Sequence, residues 1–464
     1  ESIWLDEATS VLLGRAGLLE LVRLTAQDIH PPFYYSLLHL WLYLGEGEFV
    51  VRSLSAVIGV VSIAVIYQLG RKLFDEKTGL IAAMLLAVSP LHIWYSQETR
   101  MYALVTLLTL GGGYCLWQAL QRQDAGRQNA AVHWIAYVAC MALALYTHYH
   151  ALFVLLFQNG FFLLWWLLTS RSRRLFAGWL LAQISVFLLF SPWIPVVWNQ
   201  IARGGGSWVE KTIGNPSLRS LPETWIEYSI GNAHRWYPVW LRRLGYLFFA
   251  GTLALAFMGG MRAWRRREGW GAYLFAGLYL GLSLGAVWAI SQVKPMYAQR
   301  YLLPFLPPYL LLLAAGIRAL PARAWRLVLA ESLAVLCLVG AGLNAYYPQK
   351  DDWRGVVRYV LQEARAQDVV VSDPLWNYKP FDYYAQGRVA LYRELPVPIS
   401  EKADIGSLLG EALTDYERLW LIWSPGHYAD PTGRVQAYLD ARYPLALRGD
   451  FGGVGRVSLY DLWR

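Results

Sequence analysis

About ten stretches of this chain are apolar for long enough to cross a lipid bilayer, where roughly 17–25 residues suffice. They run over 48–70, 78–95, 100–120, 132–147, 151–169, 175–197, 240–261, 270–290, 300–317 and 327–344. Inside hydrocarbon each backbone N–H and C=O must find its partner within the segment, so runs of this length fold as helices. Only 16% of the residues are charged, against about 25% in a soluble domain, which fits a chain solvated mainly by lipid. The 23 Trp and 30 Tyr suit aromatic belts at the two membrane interfaces. The expected fold class is mainly α, a polytopic transmembrane helical protein.

The turns between these runs sort by charge. Arg71, Lys72 and Lys77, then Arg122 and Arg127, then Arg171, Arg173 and Arg174, then Arg262, Arg265, Arg266 and Arg267, then Arg318, Arg323 and Arg326 occupy alternate turns. The positive-inside bias makes that side cytoplasmic. The other side then holds the first loop, Trp94–Arg100, His148–His150, the 198–239 connection, Ser291–Arg300 and everything after about 345. This distribution accounts for the net charge of +9, and no nucleic-acid-binding motif accompanies it. Cys115, Cys140 and Cys337 lie inside apolar runs without a CxxC pair, as small buried hydrophobes do.

Two domains are expected: a membrane domain over 1–345 and a small extracytoplasmic α/β soluble domain over 346–464. The sequence starts at Glu1 without an initiator Met, and a span or signal anchor is expected to precede it. Residues 8–24 carry Val11, Leu12, Leu18, Leu19 and Val22 at helical spacing, which predicts an amphipathic helix on the membrane face. Gly204–Gly206 and the Trp, Glu and Lys after them describe a long flexible loop. Past 346, Asp351–Arg365 reads as a helix, and 369–371, 389–392, 419–423 and 457–460 read as short strands.

The polar clusters fall on one face. Asp6-Glu7 pairs two carboxylates; one can take a proton while its neighbour holds a metal or orients the base, or both can simply favour a helix start. Asp28 and His30 stand before Pro31-Pro32, so Asp28 is a candidate cap for the next helix and His30 a candidate proton shuttle, phosphate contact or metal ligand. In Ser96-Gln97-Glu98-Thr99-Arg100 the Arg suits a phosphate and Gln97 and Glu98 suit sugar hydroxyls, with a Glu98–Arg100 ion pair as the plainer reading. His148 and His150 are two apart, which is not the helical spacing of a zinc pair. Arg52, Lys294 and Arg300-Tyr301 add cations at the same face, either to absorb charge on a departing phosphate or as interfacial anchors.

At these residues a family becomes recognisable. Leu5-Asp6-Glu7-Ala8, Asp28-x-His30-Pro31-Pro32-Phe33-Tyr34-Tyr35, Arg52 after an acidic turn, and Tyr95-Ser96-Gln97-Glu98-x-Arg100-Met101-Tyr102 resemble the bacterial dolichyl-phosphate-mannose-protein mannosyltransferase-like enzymes. These are glycosyltransferase family 39 relatives in the GT-C superfamily, akin to the aminoarabinose transferases of lipid A. Arg300-Tyr301-Leu302-Leu303-Pro304 and Asp352-Trp353-Arg354 also look like motifs of that group. The chain differs at Ile29-His30, where aminoarabinose transferases have a Glu-Lys pair.

The resemblance implies a GT-C fold with an extracytoplasmic first loop, a polyprenyl-phosphate-sugar donor, inversion at the anomeric carbon, and an acceptor that is protein, lipid or glycan. Asp6 matches the acidic position that serves as base, with Glu7 beside it. Arg100, Arg300, Lys294, His30 and Arg52 are the candidates for the donor phosphate. Sugar or acceptor contacts fall to Asp28, Tyr34, Tyr35, Gln97 and Glu98, and further to Tyr102, His148, His150 and Tyr301. A divalent metal (Mg²⁺, Mn²⁺ or Zn²⁺) is a further way to hold the phosphate, with Glu7, Asp28 and Glu98 as candidate ligands. The expected location is the inner (plasma) membrane, multi-pass, with the site and the C-terminal domain outside the cytoplasm and membrane lipids as neighbours. The competing readings are a transporter or flippase of a lipid-linked sugar, which the lack of an internal repeat disfavours, and a non-catalytic subunit.

Overall fold

A computed structural model describes residues 1–124, 130–169, 171–203, 214–232, 237–347, 349–424 and 429–462. The glycine-run loop and Arg127 lie outside the described residues. Two compact units emerge, one made of Ala16–Gly45 and Phe49–Tyr347, the other of Glu1–Arg15, Glu46–Glu48 and Pro348–Arg464.

The first unit is a helical bundle and makes the chain a multi-pass membrane protein. Eight described helices are long and apolar enough to cross a bilayer, from Glu48–Leu73 to Arg323–Tyr346. Two of the ten expected spans come out differently. The run over 78–95 is a pair, Glu76–Val88 and Pro90–Ser96, bent by 60°. Ser89 caps the second piece through the His92 N–H, and Pro90 takes its first turn, where a missing N–H costs nothing. The run over 132–147 is a shorter helix, Ala130–Leu145.

The bend has a purpose in packing. Helix Glu48–Leu73 approaches the short helix so closely at Gly59 that a Cβ there would collide with the Ser96 hydroxyl. The basic turns are tied to one another. Arg318 pairs with Asp75 at 3.5 Å, the Trp117 indole donates to the Lys72 carbonyl at 3.1 Å, and the Gln123 amide donates to the Arg174 carbonyl at 2.8 Å. In place of one amphipathic helix over 8–24 there are two, Leu5–Arg15 and Leu18–Gln27, interrupted at Gly17, the N-cap of the second. Leu18, Leu19 and Val22 are exposed on that second helix.

The second unit contains a five-stranded sheet in the order β2-β1-β3-β5-β4. β1 (Asp368–Asp373) runs parallel to β2 (Ala390–Tyr392) and β3 (Arg418–Trp423), while β5 (Gly455–Asp461) runs antiparallel to β3 and to β4 (Leu445–Phe451). Both faces are covered. Val370, Trp420, Ile422, Val457 and Leu459 share a core with Trp353, Val356 and Val360; Val369, Val371, Leu419 and Leu421 share another with Leu409 and Leu439. Asp352 caps helix Trp353–Glu363 through the Gly355 N–H, so the helix starts two residues inside the expected span. Strand β4 is the element the pattern did not announce. It is an edge strand with mostly exposed side chains and an internal Gly449, and edge strands need no buried face to alternate.

Candidate active site

Four turns of the membrane unit meet around Tyr301. Its ring centroid lies 4.8 Å from His148, 5.1 Å from His150, 6.2 Å from His30 and 6.2 Å from Tyr102. His30 and His148 are 5.5 Å apart and His148 and His150 4.9 Å. Hydrogen bonds link the turns: the Phe33 N–H donates to the Tyr146 carbonyl at 2.9 Å, and the His150 ring reaches the Met296 carbonyl at 3.3 Å. The chain thus brings together, from turns far apart in sequence, nine of its candidates: His30, Tyr34, Tyr35, Arg100, Tyr102, His148, His150, Arg300 and Tyr301.

Arg100 is 4% exposed and built into its place. Its Nη1 donates to the Tyr35 hydroxyl at 3.3 Å, its guanidinium stands 5.9 Å from the Tyr102 ring centre, and its carbonyl accepts from Ser55 Oγ at 3.3 Å. Ser55 Oγ in turn lies 2.9 Å from the Tyr34 hydroxyl. Ser55 escaped the sequence reading because a lone Ser in an apolar run carries no signal, although it stands one helical turn after Arg52.

The three histidines are neutral. Burial, reinforced by the charges of Arg100 and Arg300 and by His148 and His150, holds His30 well below the usual imidazole range. Burial and then His150 and Arg100 do the same for His148. Burial lowers His150 to about 4 against the opposing bond to Met296. His148 Nδ1 accepts the His150 N–H at 3.1 Å, so in the neutral ring the proton sits on Nε2. That Nε2–H is buried without a partner among the described residues, a donor held ready for a polar ligand atom.

Other candidates sit elsewhere. Asp28 is the C-cap of helix Leu18–Gln27, and the next helix has no side-chain cap; Asp28 lies near enough to Tyr149 to add, after burial, to the rise of that phenol to about 12. Glu98 is 2% exposed, and its carbonyl accepts the Arg100 N–H at 2.7 Å. Gln97 and Lys294 are exposed, and Arg52 is half-buried. Asp6 and Glu7 begin helix Leu5–Arg15 in the other unit, Asp6 half-buried and Glu7 fully buried. Glu7 Oε2 pairs with Lys350 at 3.1 Å, a partner that sequence distance concealed.

Residues 29–198 match the family model of dolichyl-phosphate-mannose-protein mannosyltransferase. The crystal structure of ArnT from Cupriavidus metallidurans in the apo state superposes with a TM-score of 0.61 at 14% identity, over 94% of this chain and 88% of ArnT. The chain has a GT-C fold. ArnT bound to undecaprenyl phosphate gives 0.58 at 13% identity, over the same shares of the two chains. The Archaeoglobus fulgidus oligosaccharyltransferase in complex with Zn and sulfate, another GT-C protein, gives 0.53 at 12% identity over 93% of this chain and 64% of its own. No curated protein matches the sequence. No three His, Cys, Asp or Glu side chains gather as metal ligands among the described residues. Glu7, Asp28 and Glu98, the candidate ligands, are not part of any such group.

Proposed function

We propose that the chain is an integral membrane glycosyltransferase that moves a sugar from a polyprenyl-phosphate donor to the hydroxyl of an extracytoplasmic acceptor. The observation that carries this reading is the buried cluster of Arg100, its Tyr35 and Tyr102 partners, and the neutral His30, His148 and His150, set in the fold that in ArnT binds undecaprenyl phosphate. A guanidinium and imidazole N–H groups fixed in a buried site are suited to a phosphate that gains charge as its bond to sugar breaks. The alternation of basic turns, read by the positive-inside bias, supports an extracytoplasmic site and C-terminal unit.

In this reading Asp6 takes the proton of the acceptor hydroxyl. The freed oxygen pair forms the bond to the anomeric carbon on the face away from the phosphate, the carbon–oxygen bond to phosphate breaks, and configuration inverts. The polyprenyl phosphate leaves with the negative charge, against Arg100 and Arg300. His148 Nε2–H contacts the sugar or the acceptor. Protein, lipid and glycan acceptors all fit this chemistry, as do hexoses and pentoses.

The test is a transfer assay on full-length protein in proteoliposomes, with polyprenyl-phosphate mannose first and other polyprenyl-phosphate hexoses and pentoses beside it. Release of polyprenyl phosphate with inverted sugar on an acceptor is the expected result. Movement of intact donor across the vesicle, without cleavage, refutes the reading in favour of a flippase.

A further inference from the structure

The carboxylate pair that opens the chain does not belong to the membrane unit. Glu1–Arg15 is part of the compact unit formed with Pro348–Arg464, and its attachment there is dense. The Gln349 N–H donates to Glu1 Oε1 at 2.7 Å, the Arg354 N–H to Ser2 Oγ at 3.2 Å, and the Ile3 N–H to the Tyr384 hydroxyl at 2.7 Å. Helix Leu5–Arg15 packs on helix Tyr378–Ala385. At the centre of this attachment Lys350 Nζ meets Glu7 Oε2 at 3.1 Å, with side chains 5% and 0% exposed.

A carboxylate buried to that degree needs a cation, and Lys350 is one. Successive residues on a helix project about 100° apart, at 3.6 residues per turn. Pinning Glu7 inward therefore fixes the rotation of the helix and with it the direction in which Asp6 points. The pair has a second effect. Were Glu7 left as an uncompensated anion, its charge would make the neighbouring Asp6 a stronger proton acceptor at the wrong pH.

We propose that Lys350 is a positioning residue for sugar transfer: through Glu7 it sets the orientation and the working pH of Asp6. This rests on the reading of Asp6 as base. A small displacement of a reacting group costs about 10²-fold in rate, which sets the size of the effect.

The experiment uses full-length protein in proteoliposomes with the donor on which the wild type turns over. Lys350→Met is expected to lower kcat about 10²-fold with KM for donor and binding of undecaprenyl phosphate unchanged, and to move the acid limb of the pH–rate profile upward. Lys350→Arg restores most of the rate. The double variant Glu7→Gln/Lys350→Met, which buries no lone charge, folds like the wild type yet stays slow, and it carries the test where Lys350→Met alone does not fold. Wild-type kcat and an unmoved pH profile in Lys350→Met, or full rate in the double variant, overturn the proposal. If Asp6→Asn is inactive while the Lys350 variants are normal, only this inference falls. If Asp6→Asn turns over normally, the reading beneath it falls as well.

Discussion

Arg100 offers the sharpest perturbation of the membrane-side cluster. The residue is 4% exposed, its guanidinium bonded to the Tyr35 hydroxyl at 3.3 Å and 5.9 Å from the Tyr102 ring centre. A hydrogen bond from a charged group contributes about 1.5–3 kcal/mol, and 1.4 kcal/mol is tenfold in affinity. Arg100→Met should therefore weaken binding of undecaprenyl phosphate by about 10- to 150-fold. Tyr35→Phe leaves the cation and its contact with the phosphate and removes only the long bond that aims it, so its loss of affinity is smaller than that of Arg100→Met. Arg100→Lys keeps the charge and loses the planar fork, so it falls between them. The assay is native mass spectrometry or calorimetry of the purified protein with undecaprenyl phosphate, with thermal unfolding measured on each variant. Equal affinity in wild type and Arg100→Met, in protein of unchanged stability, would refute the assignment of Arg100 to the phosphate.

Three further outcomes follow from the structure. His148→Phe removes the unpartnered Nε2–H and should lower kcat/KM about 2- to 10-fold, with His148→Gln recovering part of it; an unchanged transfer rate in the Phe variant counts against a ligand role. In the C-terminal unit, burial and then the neighbouring Asp430 push Asp373 up to about 7. The folded form thus holds a proton that the unfolded form has released, so stability falls as pH rises from the usual carboxylate range toward 7, by about 1.4 kcal/mol per unit. Hydrogen exchange of β1 and β3 in the full-length protein should show that loss, and Asp430→Asn should flatten it; a slope of opposite sign would contradict the pairing. Gly59→Leu drives a side chain into Ser96 and should cost about 1–3 kcal/mol, read as a lower Tm together with weaker undecaprenyl phosphate binding. A Tm equal to that of wild type would mean the two helices do not meet there.

Much of this arrangement was legible because its physics is local. Apolar length announced the spans, and the alternation of basic turns announced which polar turns share an end. That end then gathers His30, Arg100, His148 and Tyr301 from four turns. Ser89-Pro90 bent a span that hydropathy alone reads as continuous, because capping chemistry acts without changing apolar content. Gly17 cut the first amphipathic stretch for the same kind of reason. What stayed hidden was long-range: Lys350 reaches Glu7 across 343 positions, and Ser55 supports the Arg100 backbone from inside an apolar run. Neither leaves a spacing to read. The Asp352-Trp353-Arg354 stretch was visible as a motif, but its work is structural. Asp352 caps a helix, Trp353 fills a core, and Arg354 pairs with Glu48 at 2.5 Å.

The central proposal is that Asp6 accepts the acceptor's proton. The most direct measurement is sugar transfer from polyprenyl-phosphate donor by Asp6→Asn in proteoliposomes, set against its binding of undecaprenyl phosphate. The account predicts turnover lower by about 10²–10⁴-fold, with lipid phosphate bound as tightly as in the wild type. Transfer at the wild-type rate in the Asn variant contradicts it.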